Sequence, residues 1–145
     1  MEIAHARRRY AQWAIEDSRR CIELLPKNNE PHLFHEQARI YLACTSSDTS
    51  WFSQNIKRLN KLLGDRDFTD SERAFLINCR AQSYHFLGDL ENARVDYGES
   101  IRLAPEEPSW RINRAQYWEQ RGQAEFAAED RRSAARIQIQ RALPE

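Results

Sequence analysis

The sequence has few of the residues that turn a chain or lock it covalently. Its 145 residues include four glycines, five prolines and three cysteines. Strand-rich folds need frequent tight turns, so this shortage favours helices. Cys21, Cys44 and Cys79 are odd in number, widely spaced and without a Cys-x-x-Cys pair. They read as free thiols in a reducing compartment, so a cytoplasmic location is expected. No apolar run approaches the roughly 20 residues of a membrane span. The stretch from Glu2 to Arg9 lacks the apolar core of a secretory signal. Charge is balanced, with 22 Lys and Arg against 22 Asp and Glu. Nothing global therefore pulls the chain toward nucleic acid or an anionic membrane. A Gly-rich phosphate loop and a nucleophile motif are also missing. The expectation is a protein that is not an enzyme and needs no cofactor.

What is present is a repeat. Hydrophobic residues make up 41% and charged residues 30%, enough for one folded domain with a core. Arg80-Ala81-Gln82 returns 34 residues later as Arg114-Ala115-Gln116. Gly88 and Gly122, Ala93 and Ala127, and Asp96 and Asp130 keep the same offset of 34. Ala14, Asp17, Ile22, Leu24 and Pro26 match Ala93, Asp96, Ile101, Leu103 and Pro105, each pair 79 apart. Two periods of 34 fall short of 79, so one unit between them is lengthened by about 11 residues. The resulting division is a half unit at 1–26, a lengthened unit at 27–71, the clearest unit at 72–105 and a degenerate capping unit at 106–145. Hydrophobic spacing and breakers predict seven helices near 3–25, 30–44, 49–64, 70–87, 90–104, 107–121 and 124–142.

A 34-residue helix–turn–helix period resembles the tetratricopeptide repeat. Ile77, Ala81, Tyr84, Gly88, Ala93, Tyr97 and Pro105 carry the pattern in the clearest unit. The fourth unit departs from it at Arg111, Arg131 and Ile139. The resemblance implies an all-α fold, a right-handed superhelical array of antiparallel helix pairs. It also implies that Arg80 joins Asp96, and Arg114 joins Asp130, as structural ion pairs between the helices of a repeat. An unpaired buried guanidinium would be costly.

Such arrays bind extended peptides along the face made by their first helices. Matched by position, that groove would carry His32, His35, Glu36 and Arg39, then Phe75, Asn78, Gln82, His85 and Phe86, then Ile112, Asn113, Gln116 and Gln120. Asn78, Gln82, Asn113 and Gln116 would pair with a peptide backbone. The Lys and Asn of the carboxylate-clamp subgroup are not found, since His35, Arg39, Cys79, Ser109 and Asn113 take those places. His32, His35 and Glu36 share a helix face but leave a metal site without a third fixed ligand. Arg7-Arg8-Arg9, Arg19-Arg20 and Arg131-Arg132 are interleaved with acids, the pattern of solvated faces rather than of a nucleic-acid interface. The expected function is a scaffold or adaptor for another protein or extended peptide. Alternatives are a small cytosolic chaperone for exported proteins, and an RNA-associated or enzyme-accessory subunit. The first helix has no partner helix before it, and its Ile3, Tyr10, Trp13 and Leu25 offer a second copy a place to dock.

Overall fold

The computed structural model describes residues 2–143, with side chains from residue 5 onward. Met1, Pro144 and Glu145, and the side chain of Ile3 on the first helix, lie outside the described residues. The described residues form seven helices and no strand: α1 (Glu2–Leu24), α2 (Glu30–Thr45), α3 (Ser50–Asp65), α4 (Asp70–Leu87), α5 (Leu90–Leu103), α6 (Pro108–Gln120) and α7 (Ala124–Ala142). Each boundary lies within one residue of the sequence expectation. None of these helices is long and apolar enough to cross a membrane.

Local chemistry sets the ends. Thr69 and Glu72 form a reciprocal capping box that starts α4. Gly88 ends α4 with φ 91°, and Gly122 follows α6 with φ 70°. Both lie in the left-handed region that only glycine enters freely. Pro31 and Pro108 sit in the first turns of α2 and α6, where a missing N–H leaves no bond unmade.

The helices pack in chain order. α1 lies on α2, α3 on α4, α5 on α4 and α6, and α7 on α6. In addition α2 touches α4, and α4 touches α6. The even-numbered helices therefore follow one another along one side of the molecule. One core joins Ile40, Leu59, Leu76 and Cys79 across α2, α3 and α4. A second joins Ala81, Ala93, Tyr97 and Tyr117 across α4, α5 and α6. Ala81 and Ala93 are fully buried and let the backbones approach, while the two tyrosine rings fill the space beside them.

Two ion pairs tie helix to helix. Arg80 donates from Nε and Nη2 to the two oxygens of Asp96 at 2.7 and 2.9 Å. Arg114 does the same to Asp130 at 2.8 and 2.7 Å. Both carboxylates are buried. The same 16-residue step recurs once more, where Arg39 Nε donates to Asn55 Oδ1 at 2.9 Å. That pair precedes Arg80 and Asp96 by 41 residues. The lengthening of the middle of the chain is thus shared among several helix ends. Relative to these joints, α3 runs three residues further than α5, and α4 starts four residues earlier than α6. α2 likewise starts three residues earlier than α6. The extra residues extend helices by about one turn and do not form a loop.

Candidate functional site

The extended first turns of α2 and α4 build one wall of a cavity of about 1080 Å³ that runs along α2, α4 and α6. Counted from each joining arginine, its side chains keep register. Phe34 and Phe75 stand five residues before Arg39 and Arg80, Gln37 and Asn78 two before, and Tyr41 and Gln82 two after. α6 contributes Ser109, Trp110 and Asn113. Trp110 meets Phe75 edge-on, with ring centroids 6.1 Å apart. The apolar lining thus combines these aromatic rings with Leu33, Ile40 and Leu103, and an amide row accompanies it.

The direction of every bond in that row follows from one backbone carbonyl. The Ser100 hydroxyl donates to the carbonyl of Tyr97, so its oxygen is left to accept from Asn78 Nδ2 at 3.3 Å. Asn78 Oδ1 then accepts from Gln82 Nε2 at 3.0 Å and from Asn113 Nδ2 at 2.7 Å. Asn78 is buried and engaged at both ends, so it holds α4, α5 and α6 together and has little left for a ligand. The outer ends of the row, Gln82 Oε1 and Asn113 Oδ1, accept no bond among the described residues.

Of the residues assigned to a groove from the sequence, Phe75, Asn78, Gln82 and Asn113 line this cavity. His32, His35, Arg39, His85, Ile112 and Gln116 stand outside its walls. For α2 the difference is a shift of two residues, from His32, His35 and Arg39 to Phe34, Gln37 and Tyr41. Arg39 itself stands at the joint, as Arg80 does in α4. Two residues turn a helical side chain by about 200°. The inner face is consequently Phe34, Gln37 and Tyr41, and the histidines point elsewhere. His35 is buried against α1, with Nδ1 3.0 Å from Ser18 Oγ. The Ser18 proton can serve the Ile15 carbonyl at 3.0 Å, so the imidazole nitrogen is the donor to Ser18. Burial holds His35 down to about 4, helped by Arg58 and Arg39. Arg39 lies over the Trp51 ring at 5.1 Å. His85 is buried between Tyr97 and Gln120, and burial lowers its pKa.

The sequence placed Glu36 on the groove face and gave no sign of its pairing with Arg58. Glu36 is almost fully buried, and Arg58 Nη2 donates to its Oε1 at 2.9 Å. Burial raises the Glu36 pKa, and Arg58 opposes the rise. The 22-residue step between them matches no repeat spacing, so no periodic signal announced the pair. Asn55 was legible in principle, because it repeats the 16-residue step of Asp96 and Asp130 with the carboxylate replaced by an amide.

A second cavity, of about 830 Å³, lies between α1 and α2 and shares Phe34, Gln37 and Tyr41 with the first. Tyr10 and Leu25 on its far side are more than half exposed. Cys79 reaches the larger cavity but is buried, and burial pushes its thiol up, which keeps it protonated and unreactive. Several of the arginines in the basic clusters are balanced by acids: Arg20 by Glu16, Arg131 by Glu119, and Arg132 and Arg136 by Glu129. Among the described residues no group of three or more His, Cys, Asp or Glu side chains gathers where a metal ion could sit. No protein-family model matches the chain, and no curated protein matches it.

Proposed function

We propose that the chain is a tetratricopeptide-type array whose α2–α4–α6 groove holds an extended segment of another protein. The observation that carries this reading is the groove itself: an open trough of about 1080 Å³ lined by Phe34, Tyr41, Phe75 and Trp110 and by Gln82 and Asn113, whose amide oxygens are uncommitted. An extended chain needs both features, pockets for alternate side chains and partners for its backbone N–H groups. The rigidity of the amide row also supports it. Gln82 and Asn113 are held by Asn78 before any ligand arrives, so little side-chain freedom is lost on binding. The 34-residue period, the seven helices and the recurring 16-residue joints support the family assignment. The role is that of a scaffold or adaptor with no chemistry of its own.

The test is selection from a displayed library of random short peptides on wild type and on Gln82→Ala/Asn113→Ala, with melting curves to show that both remain folded. The reading expects peptides enriched on wild type to lose most of their binding on the double variant. Equal retention by both proteins would refute it.

A further inference from the structure

We infer that the segment held in the α2–α4–α6 groove is a basic one, presenting lysine or arginine between apolar anchors. This rests on the peptide-binding reading above and adds the chemistry of the partner. The whole chain has no net charge, yet the walls of this groove carry four carboxylates, Glu30, Glu72, Glu106 and Glu107, against one guanidinium, Arg141. Arg141 is itself held by Glu107 at 3.6 Å. Glu72 is engaged by the Thr69 backbone and by Asn29. The Thr69 N–H, with Asn29, keeps its pKa below the ordinary value, so it stays charged at neutral pH. Glu30 and Glu106 have no side-chain partner among the described residues and are exposed at the rim. Their charge is available to a ligand.

The amide row points the same way for an independent reason. Because the Tyr97 carbonyl fixes the direction of the whole chain of bonds, Gln82 and Asn113 each commit one N–H to Asn78 and leave the carbonyl oxygen, with the second N–H, uncommitted. Fixed acceptors next to free carboxylates suit a donor-rich cation and repel an acidic segment. The aromatic side, Phe34, Tyr41, Phe75 and Trp110, can take apolar anchors, and a guanidinium can also stack on such rings. Gln37, Ser71 and Tyr41 can donate or accept, which supplies the neutral pairing a peptide backbone needs.

The experiment is isothermal titration of the full chain with three short peptides of one apolar frame, carrying Arg, Gln or Glu at the same places. The Arg peptide is expected to bind about tenfold or more tighter than the Glu peptide at about 0.1 M salt, with the gap closing as salt is raised. Glu30→Gln/Glu106→Gln is expected to narrow that gap severalfold. If the Gln or Glu peptide binds as well as the Arg peptide, and Gln82→Ala/Asn113→Ala abolishes it, the basic preference is wrong while the groove reading stands. If no peptide binds, both are wrong. If the Arg peptide binds but Glu30→Gln/Glu106→Gln leaves the gap untouched, its charge is read elsewhere and the inference fails.

Discussion

In α4–α7 each arginine at a helix crossing meets a buried aspartate through two hydrogen bonds. In α1–α3 the same crossing meets Asn55 through one bond, and the buried carboxylate is Glu36 on α2, reached by Arg58 from α3. The first half thus keeps the geometry of the joint but moves its negative charge. The move leaves traces. Glu36 Oε2, Asn55 Nδ2 and His32 Nε2 are buried without a partner there, whereas the second half shows only Trp110 Nε1 among the described residues. A planar fork matched to a carboxylate satisfies both groups at once. Once the acid sits on the opposite helix, one-to-one satisfaction is lost.

The largest expected effect separates the two kinds of joint. Asp96→Ala or Asp130→Ala strands a mostly buried guanidinium and should cost roughly 3 kcal/mol. Asn55→Ala removes a single neutral acceptor and should cost about 1 kcal/mol. Glu36→Gln should change stability by no more than about 1 kcal/mol, because Arg58 is half exposed and can turn to water. Urea midpoints at constant slope read all three, and equal losses at Asp96 and Asn55 would erase the distinction.

Acid should act more strongly on the first half. His35 has a folded pKa of about 4, below its ordinary 6.5, because burial and the nearby arginines disfavour the imidazolium. Its contribution is fully present above pH 6.5 and is lost as pH falls toward about 4, since the unfolded chain takes the proton first. Glu36 works in the opposite sense: its raised folded pKa means the fold takes the proton first and regains stability as pH falls toward 4.5. Melting temperatures between pH 7 and 5 should therefore fall less steeply in His35→Gln than in wild type. His85→Gln should flatten the slope less, since the Gln120 bond opposes the burial that lowers His85. Identical slopes for the two variants would show that the halves titrate alike.

Turn chemistry gives the smallest contrast, and it differs in sign. Gly88→Ala and Gly122→Ala force a side chain into the left-handed region and should cost about 1 kcal/mol each. Gly64→Ala lies inside α3 with open space around the added carbon, and should gain up to about 1 kcal/mol. Thermal melts of the three single variants read this directly.

The helices were legible because hydrophobic spacing, Pro31, Pro108 and the paired Gly88 and Gly122 all marked the same boundaries. Arg80 and Arg114 were legible as joints through the resemblance to the tetratricopeptide repeat, which implies an Arg–Asp pair in each unit, and the 34-residue offset set the two at like positions. The face of α2 was not. Its unit carries extra turns at the helix ends, so no fixed offset aligns it, and a slip of two residues exchanged Phe34, Gln37 and Tyr41 for His32, His35 and Arg39. Direction within the amide row was also beyond the sequence. It depends on Ser100 turning its proton to a carbonyl three residues back. Composition hid the charge of the groove, because 22 acids and 22 bases cancel over the chain while four acids meet one base along the walls.

The groove can be watched through its own indole. Trp110 lines the cavity, while Trp13 is exposed on α1, and neither Trp51 nor Trp118 belongs to the walls. The four indole N–H resonances should be followed by NMR during titration with the tightest-binding peptide of the charge series. Binding in the groove predicts a shift of the Trp110 signal, with the other three left in place. A shift confined to Trp13, or an unmoved Trp110 signal at saturation, would contradict the account.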